Sequence, residues 1–204
     1  MEHTEVELKW PIPDPEKFFA ALRAASAKVH INRYATEHEL NIWYERGKNA
    51  EDARRLRISR PYPYRRGCDY HYCVTKKGSN KSVRFKASLE ENFYGLYFSS
   101  PQKALQFFLF VGYTDHFRYE RTRTDFHFNG IVLSYDSLPQ IGNYVEIEGD
   151  PGDILEAASL LGLDEKDSTN LSYKVLFKKW KADNPSSDAK GLLWEDERHF
   201  FSVI

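Results

Sequence analysis

The chain has 204 residues, 41% of them hydrophobic and 29% charged, with 29 Lys and Arg against 30 Asp and Glu. That suits one domain with a sizeable core and excludes a disordered polar chain. The near-zero charge argues against duplex nucleic acid as a partner, no apolar run nears the roughly 18 residues of a membrane span, and the opening MEHTEVELKW is no signal peptide, so a cytoplasmic protein with no membrane partner is expected.

Residues His3 to Trp10 alternate, with Glu5, Glu7 and Lys9 on one side and Val6, Leu8 and Trp10 on the other, which predicts a strand. Asp14-Pro15 supplies an N-cap and a first-turn proline for a helix over 15–27. Strands are predicted over Tyr34–Glu45, around Arg55–Ser59, and over Tyr70–Lys77, where Gly78-Ser79-Asn80 turns the chain into a hairpin partner at Ser82–Glu90. Ser100-Pro101 opens a second helix over 101–111. Tyr113–Phe128 is a long strand joined by the Asn129-Gly130 turn to Ile131–Asp136, and Asn143–Glu148 is a further strand. Asp150-Pro151 starts a third helix ending near Leu161, and a fourth covers 170–181. The domain is placed at 1–182. Residues 183–204 form a linker through Asn184-Pro185-Ser186-Ser187 and an apolar tail that packs on the domain or on a partner subunit in a homodimer. Cys68 and Cys73 read as reduced thiols. The fold class is α+β: about eight antiparallel strands closed into a barrel, with helices packed outside.

Charges recur at i and i+2 on strand after strand, while the opposite faces (Val6 and Leu8, Leu56 and Ile58, Val145 and Ile147) are apolar. A solvated sheet face would give the same pattern on any one strand. The alternative is that apolar faces meet the helices and charged faces converge on a water-filled interior. That interior would hold Lys9, Arg55, Arg57, Lys77, Arg84, Lys86, Arg121 and Arg123 against Glu5, Glu7, Asp136, Glu146 and Glu148, eight cations to five anions. A net charge of about +3 suits a polyphosphate. Glutamates at i and i+2 lie roughly 7 Å apart on one side of a strand, and two such pairs can hold Mg2+ or Mn2+. Arginine pairs fork onto phosphate oxygens.

These residues carry a resemblance. Glu5-Val6-Glu7-Leu8-Lys9 is similar to the ExExK signature of the CYTH superfamily, the triphosphate tunnel metalloenzymes. Asn41-Ile42-Trp43-Tyr44-Glu45, Leu56-Arg57-Ile58, Thr75-Lys76-Lys77-Gly78, Arg121-Thr122-Arg123, Asp136, Gly142–Glu148 and Ser172-Tyr173 resemble its later motifs in order. The resemblance implies an eight-stranded tunnel that hydrolyses a triphosphate, either inorganic triphosphate or a small organic one such as thiamine triphosphate. Cyclisation of ATP to cyclic AMP and non-catalytic polyphosphate or nucleotide binding are the alternatives. Carried over residue by residue, it implies Glu5, Glu7 and Lys9 as catalytic, and Glu5, Glu7, Glu146, Glu148 and Asp136 as metal ligands, with Asp136 alternatively ordering a Lys or Arg. Lys9, Arg57, Lys77, Arg84, Arg121 and Arg123 would be the phosphate contacts, to which the inward face adds Arg55 and Lys86. Two departures stand out: Ser59 replaces a second Arg, and the hairpin strand reads Arg84-x-Lys86-x-Ser88 where the superfamily has R-x-E-x-E.

Overall fold

The structure is a computed structural model that describes residues 2–46, 53–63, 69–77, 84–93, 97–195 and 200, without the side chains of 2–4, 77 and 87–92. The turn at Gly78-Ser79-Asn80, Cys68 and the last tail residues therefore lie outside the described residues, as does the side chain of Lys77. Period-2 alternation produces eight strands: β1 (Glu2–Pro11), β2 (Asn32–Glu45), β3 (Arg54–Pro61), β4 (His71–Lys77), β5 (Lys86–Phe93), β6 (Thr114–Phe128), β7 (Ile131–Leu138) and β8 (Gly142–Glu148). Every pairing is antiparallel. Hydrogen-bonded neighbours run β1-β5-β4-β3-β2-β6-β7-β8 and return to β1. The β6–β7 hairpin turns where expected, with φ of 48° at Asn129 and 77° at Gly130, the pair of positive values that a tight two-residue turn needs.

Helices α1 (Pro15–Ser26), α2 (Pro101–Phe110) and α3 (Pro151–Leu160) lie against the outside of this ring, and α4 (Tyr173–Asp183) lies over one of its ends. Asp14, Ser100 and Ser172 cap α1, α2 and α4 through their side chains. Asp150 precedes α3 without a side-chain cap bond, so Pro151 with its preset φ is the start signal that operates there. The fourth helix begins later than 170, because Ser172 is its cap. The core is divided among three apolar clusters. Leu8, Trp10, Val145 and Ile147 meet α1 and α3. Leu40, Ile42, Leu56 and Ile58 meet α2. Phe117 and Leu138 meet α4. The outward apolar residues of β1, β2, β3 and β8 are thus spent on α1, α2 and α3, whereas Phe117 and Leu138 lie on the inward alternation of Arg121, Arg123 and Asp136, so α4 packs over one end of the charged interior. Among the described residues no helix is long and apolar enough to cross a membrane.

Two edges left open by unequal strand lengths are filled by irregular chain. Beyond its pairing with β5, β1 exchanges backbone bonds with Thr169, at 2.9 and 2.7 Å through Lys9. This seats Ser172, Tyr173 and Lys174 at one mouth of the barrel. β6 outruns β7, and Leu192 bridges the exposed stretch in parallel with Tyr119, with backbone bonds of 3.2 Å to Arg118 and 2.7 Å from Glu120. An uncovered strand edge is a pairing liability, and the covering segment removes it. The fully buried Glu120 carboxylate accepts the Trp194 and Phe200 amides at 3.4 and 3.0 Å, and Arg60 donates to the Phe200 carbonyl at 2.7 Å.

Gly191 lets this segment approach, because a Cβ there would lie 2.3 Å from the Arg118 carbonyl oxygen. Gly191→Ala is expected to destabilise the protein by about 1–3 kcal/mol through overpacking, measured by urea unfolding together with faster proteolysis after residue 191. Unchanged values for both would refute this account of the docked segment.

Candidate functional site

The inward faces enclose a channel with two halves that meet at a waist of Glu5, Arg55, Arg57 and Arg123, residues common to both. The half beneath α4 is a cavity of about 290 Å³. Its lining carries Lys9, Arg55, Arg57, Lys86, Arg121, Arg123 and Lys174 against Glu5, Glu7, Glu45 and Glu146, seven cations to four anions, with Trp43, Tyr119 and Tyr173 among them. The other half, about 560 Å³, has Glu5, Glu37, Glu39, Asp125 and Glu148 against Arg55, Arg57 and Arg123, five anions to three cations, together with His71, His127 and Cys73. The cationic excess expected for the whole interior is therefore confined to one half. Glu37, Glu39 and Asp125 also face inward and reverse the balance in the other.

A buried ion-pair network ties the walls together. Asp136 on β7 has no exposed surface. Its Oδ1 accepts from Arg123 Nε at 2.7 Å. Its Oδ2 accepts from Arg121 at 2.9 Å, from Arg123 at 2.6 Å and from the Tyr173 hydroxyl at 2.7 Å. Both oxygens are committed to ordering arginines, so the structure supports that role for Asp136 rather than metal ligation. Arg121 also donates to Glu39 at 2.7 Å, and Arg57 donates to Asn41 at 3.2 Å and pairs with Glu39 at 3.3 Å. Burial would raise the Glu39 carboxyl, but Arg121, Arg57 and Arg123 together outweigh it and hold the group well below the usual carboxylate range. Lys9 pairs with Glu7 and, at 3.1 Å, with Glu146, and its ammonium lies 5.5 Å over the Tyr173 ring. Burial would depress Lys9, yet Glu146 and Glu7 hold it above its ordinary value.

Lys86 stands opposite Glu7 across the β1–β5 pair, its ammonium 2.6 Å from Glu7 Oε1 and 3.8 Å from Glu5 Oε2. The five carboxylates expected at a metal do not stand as one donor set. Glu7 is bracketed by Lys9 and Lys86, Glu146 is paired with Lys9, Arg121 and Arg123, and Asp136 is committed as described. Among the described residues no group of three or more His, Cys, Asp or Glu is arranged to hold a metal ion. Glu148 is pushed up to about 7 by burial and then by the charges of Glu5 and Glu7.

Arg84 is a correction. β5 begins at Lys86, so Arg84 lies on the bend before the strand, outside its alternation. It is 59% exposed and pairs with Glu165 at 2.7 Å, away from the channel. Glu39, Glu37, Glu45 and Lys174 were not anticipated as channel residues. Glu37, Glu39 and Glu45 share the i, i+2 face of Asn41 and Trp43 and could have been found from that alternation. Lys174 had no such signal, because the Thr169 bridge brings it to the mouth.

No family profile matches the sequence, and a search of curated proteins finds no match. Solved structures do match. A conserved hypothetical protein from Pyrococcus furiosus is 23% identical, with 84% of this chain and 99% of that chain covered and a TM-score of 0.64. A candidate adenylate cyclase from Vibrio parahaemolyticus is 16% identical, with 86% and 98% covered and a TM-score of 0.64. A chain of the Schizosaccharomyces pombe Mediator head module is 13% identical, with 93% and 99% covered and a TM-score of 0.53. At these identities the likeness establishes the fold that the ordered motifs implied.

Asp136→Ala is expected to cost about 3–5 kcal/mol in urea unfolding, because it strips buried arginines of a partner; Tyr173→Phe, which removes one hydrogen bond, should cost about 1 kcal/mol. Equal costs would argue against Asp136 as the network's centre. The pH dependence of Glu148 runs the other way from that of a salt-bridged carboxylate. Its folded-state value of about 7 exceeds the ordinary 4.5, so native stability falls as pH rises between those values and the penalty is constant above. In EDTA, Glu148→Gln should therefore stabilise by about 2 kcal/mol at pH 8 and by much less near pH 5. The same gain at both pH values would contradict the burial and like-charge cause.

Proposed function

We propose that the chain belongs with the triphosphate tunnel proteins, and that it binds inorganic triphosphate or a small organic triphosphate in the cationic half of the channel and hydrolyses it. The observation that carries this reading is the set of seven cations against four anions around one narrow cavity with an open mouth. A site of one sign concentrates its ligand, and a triphosphate is a compact, highly charged anion. Within that set burial separates two roles. Lys9 and Arg121, each 2% exposed, are locked into ion pairs and set the potential. Arg57 at 26% and Lys86 at 15% are accessible from the cavity and would touch phosphate oxygens directly.

Phosphoryl transfer asks the protein mainly to position the chain of phosphates and to stabilise charge on its oxygens. Arg55, Arg57 and Arg123 at the waist would grip the inner end of the triphosphate. Glu148 beyond the waist, with its carboxyl near 7, is suited to accept the proton of an attacking water. The organic group would remain at the mouth beside Trp43 and Lys174. A non-catalytic binding role is the second reading. It is favoured by the pairing of Glu7 and Glu146 with lysines and arginines, and the fold itself does not require an enzyme. Cyclisation of ATP would need a base pocket in addition.

Phosphate release over inorganic triphosphate, thiamine triphosphate and ATP, in Mg2+, Mn2+ or EDTA and with cyclic AMP also assayed, tests the reading. Arg57→Ala is expected to weaken triphosphate binding about 10- to 100-fold through loss of a charge-assisted contact. Cyclic AMP formation would replace the hydrolase with a cyclase, and binding without turnover would replace it with a binding protein. If triphosphate does not bind at all, the functional reading fails.

A further inference from the structure

The channel carries a cation of its own where a metal ion would be expected. Glu5 and Glu7 are successive inward carboxylates of β1, and a divalent ion shared by them would sit between their oxygens. That space holds the Lys86 ammonium, 2.6 Å from Glu7 and 3.8 Å from Glu5. The position is built into the sheet: Glu7 and Lys86 are directly paired residues of β1 and β5, so both side chains leave the same face at adjacent points. Lys9 approaches the same Glu7 oxygen from along β1 and bonds Glu146 as well. Glu7 is therefore neutralised from two sides by groups tethered to the barrel wall. Any divalent ion arriving there must displace an ammonium, against repulsion from both lysines.

We propose that Lys86 is a tethered substitute for a metal ion beside Glu5 and Glu7, and that this channel holds a polyphosphate without a resident divalent cation. The inference rests on the triphosphate-binding reading for its ligand, but not for its statement about metal. A lysine fixed on a strand supplies positive charge to phosphate oxygens with no cation to recruit from solution. The exchange gives up the second charge of a divalent ion and its ability to bridge carboxylate to phosphate. The replacement of a glutamate by Lys86 in the R-x-E-x-E strand is then a compensated change, in which a ligand for a cation becomes the cation itself.

Two binding measurements on the purified full chain test this. Mn2+ binding is followed by electron paramagnetic resonance, and inorganic triphosphate binding by calorimetry in EDTA and in Mg2+. Both are made for the wild type, Lys86→Glu and Lys86→Met. The wild type should bind Mn2+ no tighter than roughly millimolar, and should bind triphosphate in EDTA within about threefold of its affinity in Mg2+. Lys86→Glu should tighten Mn2+ binding by at least about tenfold and make triphosphate binding depend on Mg2+. Lys86→Met should weaken triphosphate binding in EDTA by about tenfold. Micromolar Mn2+ binding by the wild type that Lys86→Met leaves unchanged would overturn the proposal, as would loss of wild-type triphosphate binding in EDTA alone. If the wild type binds no triphosphate with or without Mg2+, the functional reading falls and the Mn2+ arm still decides the role of Lys86.

Discussion

The barrel can exist only because the charges inside it are paired. Asp136 is the centre of that pairing, for it receives Arg121, Arg123 and Tyr173 from two other elements while fully buried. An ionised group removed from water is tolerable only with strong partners in good geometry. Arg121 continues the chain to Glu39, and Glu146 continues it to Lys9. The network joins β7, β6, β2, β8 and β1, so the same contacts that hold the walls in register also hold the cations at fixed points around the cavity.

This arrangement reverses the usual economy of a small barrel, whose interior is filled with apolar side chains. Here the outward apolar faces are covered by α1, α2 and α3, and α4 packs on inward aromatic residues at one end, leaving between them an interior that can admit an ionic ligand. The inner charge is not uniform. The half under α4 has an excess of cations and the far half an excess of anions, with Arg55, Arg57 and Arg123 at their junction. An anionic chain entering from the α4 mouth is drawn as far as the waist and repelled beyond it. On the proposed reading, polarity of this kind would give a polyphosphate one direction and one depth.

Legibility of the site followed distance along the chain. Glu5, Glu7, Lys9, Arg55, Arg57, Lys86, Arg121, Arg123 and Glu146 were readable as inward residues, because strand alternation assigns a face residue by residue. Glu148 was readable in the same way and lies in the far half. Arg84 was misread because alternation holds only within the strand, and β5 starts two residues later. Lys174 was hidden for the opposite reason: it stands on a helix whose mouth position is set by a backbone bridge between Thr169 and Lys9. The docked segment around Leu192 was apolar enough to announce burial, but not to announce that it completes the open edge of β6.

By itself the sequence determined the antiparallel α+β class, the order of the elements, most of their limits, and which face of each strand is charged. Those properties are local, since periodicity, capping and turn residues act over a few positions. Tertiary structure alone decided which charges neutralise one another, where the cationic excess is left over, and that Lys86 stands between Glu5 and Glu7. The reason is physical: the energy of a charge depends on its neighbours in space and on the water it has lost. Closing the barrel sets both, by bringing together residues as far apart as Glu7 and Lys86 or Asp136 and Tyr173.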